Sequence, residues 1–325
     1  MGYISYNFGS TCFRMFFIQQ IGNASGKDER EAAMCRRKTI LTVFLTLLLI
    51  TPGLTYADQT VEAFKVKGAP VIDGKGDDGA WKSARTYTIR DQRLDVDITL
   101  KAVRSDDALF FLVNFPDEEE NRLHKPWVWN KDLEVYQFGP QREDTFTFKW
   151  NMSGKKINLS NFSDDDYRAD VWYWKANRTD PAGFADDKMH ILSSEAAKKS
   201  NSIVSKSGKQ RHLLRLGDKG RPAQDKRLLT EYQGDVLDQF VSQAPDGSKA
   251  DVRAKGIWKD GRWTVEFERK LDTGNDDDVR FESTPGKKYL FGVSIAGLYA
   301  EEIDTSKKHP YGQGRISEPL YLVLK

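Results

Sequence analysis

Residues Gly256–Phe267 read GIWKDGRWTVEF, and this stretch decides the fold. Gly256-Ile257-Trp258 and Trp263-Thr264-Val265-Glu266-Phe267 are rich in β-branched and aromatic side chains. Lys259-Asp260-Gly261-Arg262 lies between them. An Asp-Gly pair supplies the left-handed backbone of a tight hairpin turn, so the segment is predicted to be two antiparallel strands. The same grammar continues on both sides. Val61–Val66, Asp95–Val103 and Thr145–Trp150 alternate with a period of two, Leu109–Phe115 is a short apolar run, and Tyr289–Leu298 and Leu320–Leu324 close the set. Arg104-Ser105-Asp106-Asp107 supplies the turn of a second hairpin. Helical periodicity is scarce, with one short helix expected at Ser193–Lys199. Residues 200–250 are polar and weakly periodic, and are expected to form a long surface loop or insertion. Many short strands with regular turns predict an all-β sandwich, formed by one domain over residues 58–325.

The N-terminal part reads differently. Arg36, Arg37 and Lys38 precede an apolar stretch from Ile40 to Leu54, and Thr55-Tyr56-Ala57 ends in a small residue. That is the layout of a secretory signal peptide. The stretch is too short for a comfortable membrane span, which needs about 20 residues, although an uncleaved anchor is the alternative. The expectation is translation from Met34, cleavage after Ala57 and a periplasmic chain that does not span the membrane. Both cysteines, Cys12 and Cys35, lie in this leader. The exported chain would then have no disulfide and no Cys-x-x-Cys-His attachment, so any haem would be held without covalent bonds.

Composition excludes more than it selects. The chain has 50 basic and 48 acidic residues; the leader takes 6 and 3 of these, leaving 44 against 45. No basic stripe marks a nucleic-acid binder. The chain has no Gly-x-Ser-x-Gly, His-Glu-x-x-His or phosphate-cradling loop, so an enzyme is not expected. The runs Glu118–Glu120, Asp164–Asp166 and Asp276–Asp278 have calcium-binding chemistry but read first as solvated turns.

Two aromatic segments stand out. In Ala69–Trp81, APVIDGKGDDGAW, turn residues lead to a Trp81 suited to plug the sandwich core. In Asp170–Arg178, DVWYWKANR, three aromatics and two bases fall within nine residues, and Trp127, Trp129 and Trp150 extend the cluster. This strand can be core. Equally, Trp150, Trp172, Tyr173 and Trp174 can wall a pocket for a flat ligand, with Lys175 or Arg178 meeting a ligand carboxylate. Candidate iron ligands outside the leader are few: Met152 and Met189, and His124, His190, His212 and His309. Met152 follows a strand, and His309 lies in a loop before the last one. Met189 and His190 are adjacent and would point opposite ways.

Taken in order, several pieces resemble the haem-binding gamma subunits of ethylbenzene dehydrogenase and dimethylsulfide dehydrogenase. They are Ala69–Trp81, Leu109–Val113, Glu143–Phe146, Asp170–Arg178 with Thr179–Asp187, Gly261–Phe267 and Arg315–Leu320. The resemblance implies an immunoglobulin-like β-sandwich similar to family-nine carbohydrate-binding modules, carrying one non-covalent haem b. It implies electron transfer between a molybdenum/iron–sulfur enzyme and a soluble carrier, hence a periplasmic or membrane redox partner. In that family a methionine and a lysine ligate the iron. Met152 lies where the methionine is expected, and Lys307, Lys308 and His309 stand in the loop expected to hold the second ligand. The chain has Tyr173 where many relatives carry histidine. A carbohydrate-binding module, or a structural or sensory domain that has lost its ligand, are the alternative functions.

Overall fold

Alternation along the strands builds the architecture. A computed structural model describes residues 59–91, 96–296 and 316–325; the leader, its cleavage point, Lys308 and His309 lie outside them. Eighteen strands are described: β1 (Gln59–Lys65), β2 (Tyr87–Asp91), β3 (Val96–Arg104), β4 (Ala108–Pro116), β5 (Trp127–Asn130), β6 (Val135–Phe138), β7 (Thr145–Asn151), β8 (Tyr167–Lys175), β9 (Asp186–Ser193), β10 (Asn201–Val204), β11 (Gln210–Gly217), β12 (Gln224–Lys226), β13 (Val236–Leu237), β14 (Phe240–Ser242), β15 (Val252–Lys259), β16 (Arg262–Lys270), β17 (Tyr289–Ala296) and β18 (Leu320–Leu324). Among the described residues the one α-helical turn is Gly79–Lys82.

The first sheet runs β10-β11-β9-β8-β7-β17-β18-β1, and the second runs β1-β3-β4-β16-β15 with β2 beside β3. Strand β1 serves both: Gln59–Ala63 pair in parallel with β18, and Phe64 and Lys65 with β3. Every other pairing is antiparallel. The deciding hairpin forms as read. Trp258 pairs with Trp263, and Asp260 and Gly261 take φ of 53° and 73°, the double positive φ of a type I′ turn.

The sandwich core comes from one parity of each sheet. Phe146, Phe148, Trp150, Trp172 and Trp174 face inward from the first sheet and meet Phe111, Val113, Phe115, Val265 and Phe267 of the second. Rings approach to 4.7 Å between Phe111 and Phe148 and 5.2 Å between Phe148 and Phe267, within the range of favourable edge and offset contacts.

Three expectations change. Trp81 is buried, but behind the second sheet rather than between the sheets. It packs with Phe110, on the outward parity of β4, and donates Nε1–H to Glu266 at 2.8 Å. Residues 200–250 are not a featureless loop: β10 and β11 extend the first sheet, while β13 joins β5 and β6 in a small separate sheet. No helix forms at 193–199, where β9 ends and turns lead into β10. Among the described residues, no helix is long and apolar enough to cross a membrane.

Candidate functional site: a basic cavity on the outer face of the first sheet

Period-two alternation sorts the aromatic strand onto two faces. In β8 the even positions Trp172 and Trp174 enter the core, while Val171, Tyr173 and Lys175 point outward. In β7, Phe146, Phe148 and Trp150 go inward and Thr145, Thr147 and Lys149 outward. In β9, Asp186, Lys188 and His190 join the outward set. This face, with the loops above it, encloses a cavity of about 600 Å³. The rest of its wall includes His124, Lys125, Arg142, Arg178, Arg215, Lys249, Leu159, Ile295 and Ile316. A larger depression of about 930 Å³ adjoins it, sharing Leu159, Ser294 and Ile316, but among the described residues its wall carries neither an imidazole nor a thioether.

The charge of the smaller cavity is lopsided. Lys125, Arg142, Lys149, Lys175, Arg178, Lys188, Arg215 and Lys249 line it, and among the described residues Asp186 is the one acid in the wall. Asp186 forms ion pairs with Lys175 and with Lys188, the latter at 3.1 Å. Both ammonium groups lie over the Tyr173 ring, at 4.7 and 5.6 Å from its centroid. Burial alone would raise the Asp186 pKa, but the two lysines outweigh it and hold the carboxyl ionised. Burial, followed by repulsion from Lys188, pushes Lys175 well below the usual ammonium range. Lys149 is pushed down by burial and then by Arg215; its Nζ contacts Asn161 Oδ1 at 2.8 Å and Tyr167 OH at 2.6 Å. Arg178 is held by Glu143.

The two imidazoles are the exceptional groups. Burial, then Lys149, Arg215 and Lys188, keeps His190 neutral, and its Nδ1 has no hydrogen-bond partner. His124 is pushed down to about 2 by burial and by the cations around it, Arg178 first. Its Nδ1 lies 3.3 Å from Glu143 Oε1, but the alignment gives no hydrogen bond, so electrostatic proximity is all that this contact supplies. A site with neutral imidazoles, excess cations and patches of Val171, Leu159, Ile295 and Ile316 can take an anionic, partly apolar ligand that offers a Lewis-acidic metal.

The predicted site residues therefore divide. Tyr173, Lys175 and Arg178 line the cavity together. Trp150, Trp172 and Trp174 do not wall it: each is fully buried between the sheets, because each holds the inward parity of its strand. Met152 also departs from expectation. It packs against the inter-sheet core on the far side of β7 from the cavity, continuing the inward set of Phe146, Phe148 and Trp150. Trp127 and Trp129 do not line the cavity, and pack in the small sheet against Phe138 at 4.6 Å and Tyr136 at 4.9 Å. Met189 does not enter the cavity wall, whereas its neighbour His190 does. Lys149, Lys188 and Arg215 escaped sequence reading. Counting parity back from Tyr173 and across to β9 is the signal that locates the first two.

The position of Asp180 shows how the strand end is fixed. Its Oδ1 accepts Trp174 Nε1–H at 3.0 Å and Gly256 N–H at 2.6 Å, and its Oδ2 pairs with Arg122 at 2.8 Å and Lys255 at 3.2 Å. Asp180 begins a short 3₁₀ turn closed by Gly183 at φ 80°. This anchor holds the β8–β9 connection, and with it Arg178, against the second sheet.

No curated protein matches the chain. Two solved structures of a family 9 carbohydrate binding module from Caldicellulosiruptor kristjanssonii are similar. One, in complex with cellotriose, is 13% identical, with a TM-score of 0.37, covering 82% of this chain and 94% of the other. The second, with glucose, is 12% identical, with a TM-score of 0.37, covering 81% and 95%. A family model described as ethylbenzene dehydrogenase matches residues 60–296, nearly the whole described sandwich. On that match, the chain belongs to the ethylbenzene dehydrogenase family.

Proposed function

We propose that this chain is a periplasmic haem b-binding electron-transfer subunit, serving a molybdenum oxidoreductase or a respiratory chain component rather than catalysing a reaction itself. The observation that carries the reading is the basic cavity, into which Tyr173, Lys175 and the partnerless His190 all point. Position 173 is where the resemblance sets a histidine in many relatives, and its side chain lines this cavity.

The residues fit the group. A haem is flat, apolar across its faces and dianionic at its propionates. The apolar patches suit the faces, and Lys125, Arg142 and Arg178 suit the carboxylates, Arg by planar two-point contacts. His190 would be the iron ligand among the described residues, since its ring lines the cavity and stays neutral. Haem iron supplies reversible one-electron transfer when bound. The protein's part is to desolvate the group, neutralise its propionates and hold the His190 ring against β9. Lys308 and His309 are kept as further candidate ligands, from the resemblance alone.

The test is an absorbance spectrum of the full chain after reconstitution with haemin, oxidised and then reduced. A Soret band with reduced-state α and β bands is expected. Exchanging His190→Ala shifts or abolishes these bands, while Met152→Ala leaves them in place. Absence of a Soret band overturns the function. A shift with Met152→Ala and none with His190→Ala overturns the ligand assignment and returns the methionine to the iron.

A further inference from the structure

Across β8 and β9 from the basic cavity, on the inward side, lies a cluster of opposite sign. Asp170 is on β8, Asp187 is on β9 opposite Trp172, and Asp278 is in the connection between β16 and β17. One carboxylate oxygen from each lies within 4.8 Å of the others. The three residues are 0%, 1% and 8% exposed. Arg269 of β16 stands beside them, with Nη2 at 3.4 Å from Asp170 and 3.1 Å from Asp278, and Nη1 donating to the Val279 carbonyl at 2.7 Å. One guanidinium thus faces three carboxylates. Asp218, just past β11 and 5% exposed, adds a fourth carboxylate whose field reaches Asp187.

The independent observation is what these carboxylates lack. Both oxygens of Asp187, both of Asp218, and Oδ1 of Asp170 and of Asp278 have no hydrogen-bond donor. A buried carboxylate oxygen with no donor is costly, and Asp187 has neither oxygen satisfied. The partnered oxygens are the Oδ2 atoms, which Arg269, Val279 N–H and Thr273 serve. Each of the three clustered residues, Asp170, Asp187 and Asp278, thus keeps at least one oxygen without a donor.

We propose that Asp170, Asp187 and Asp278, with Asp218 at the rim, bind a divalent cation, calcium. The donors are all carboxylate oxygens, the hard ligands this ion takes, and no thiolate or imidazole in the cluster favours zinc. Arg269 occupies one side, so the donors are irregularly spread. Calcium tolerates such a set, whereas magnesium demands a near-ideal octahedron. Two positive charges restore the balance that Arg269 leaves short. The ion ties β8 and β9 of the first sheet to the connection that leads out of β16 of the second sheet, so it acts as a clamp between the sheets, independent of the haem reading.

The experiment uses the full chain, stripped with EDTA and dialysed. Terbium, a luminescent calcium substitute, is titrated with excitation of tryptophan, because the Trp172 ring lies 5.3 Å from the Arg269 guanidinium beside the site. Sensitised emission saturating at one ion per chain is expected, displaced by calcium at least tenfold more effectively than by magnesium. Calcium in hundredfold excess over its Kd raises Tm by about 5 °C or more. Asp187→Asn cuts calcium affinity at least tenfold and removes the Tm response, while the stripped variant melts no lower than the stripped wild type because it has lost an uncompensated charge. Absence of saturable emission together with no calcium effect on Tm overturns the proposal. So does a stripped Asp187→Asn protein that melts below stripped wild type with no calcium response in either, since that result identifies a network held by shared protons.

Discussion

Replacing Asp180 separates two contributions that a single carboxylate makes to the strand end under the cavity. Asp180→Ala leaves two buried donors, Trp174 Nε1–H and Gly256 N–H, without an acceptor. An orphaned buried donor costs about 1–3 kcal/mol, so the pair costs about 2–6 kcal/mol. The two cations are a different matter. Arg122 and Lys255 have side chains 37% and 34% exposed and can turn to water when Oδ2 is gone. Asp180→Asn keeps an oxygen in the Oδ1 position, where it still accepts from both buried donors, and surrenders only the pairing with those partly solvated cations, at about 1–2 kcal/mol. The expected order is therefore wild type, then Asn, then Ala, with the larger step between the two variants. Urea unfolding at constant m-value measures it as successive falls in the midpoint. An Ala variant no less stable than the Asn variant, or one costing below about 1 kcal/mol, refutes the view that Oδ1 is the anchor.

Four further outcomes follow from the same geometry. Gly256→Ala places a Cβ 2.5 Å from Trp174 Cζ2, a ring already pinned by Asp180, so it destabilises by about 1–3 kcal/mol in thermal melts, and an unchanged Tm refutes the contact. Trp150→Ala removes a fully buried core ring and costs about 3–5 kcal/mol, yet any reconstituted haem spectrum keeps its band positions, because the residue faces away from the cavity. The pH dependence of stability has a definite sign at His124. Its folded pKa, about 2, lies below the unfolded value of 6.5, so the unfolded state binds the extra proton in that window and stability falls as pH drops below about 6.5. A His124→Gln variant shows a shallower fall in urea midpoint between pH 6.5 and 5 than wild type, and parallel curves contradict the assignment. Export is checked at the other end: mass spectrometry of periplasmic protein is expected to show an N-terminus at Asp58, and material retaining residues 34–57 argues for an anchor instead.

The fold was legible because strand parity and turn chemistry are local properties. Asp260-Gly261 specifies its turn through two positive φ angles, whatever the rest of the chain does. The insertion was less legible. Gln210–Gly217 carries a β-pattern, with Arg211 and Leu213 buried and His212 and Leu214 only partly so, but its polar content masks it until β9 supplies an edge to pair with. Trp81 shows the limit of composition. Its burial was foreseeable, yet the side of the second sheet that it covers depends on the outward parity of Phe110 and on Glu266, which also accepts the Asp73 and Gly74 amides at 3.1 and 2.7 Å.

The candidate site was half legible for a reason that lies in the pleat. DVWYWKANR presents its aromatics as one cluster in sequence, but adjacent residues on a strand cannot share a pocket. Trp172 and Trp174 must go one way if Tyr173 and Lys175 go the other, and the inter-sheet core has first claim on the larger rings since it excludes water completely. The polar alternates are left to the outer face. That outer face gathers its charge from strands far apart in sequence: Lys149 from β7, Lys175 from β8, Lys188 from β9 and Arg215 from β11. Net charge over the whole chain is near balance, so composition conceals the excess. The same alternation, run along β8 and β9 on the inward side, sends Asp170 and Asp187 beneath the sheet to meet Asp278. One pair of strands thus separates a cation-rich cavity from an anion-rich cluster.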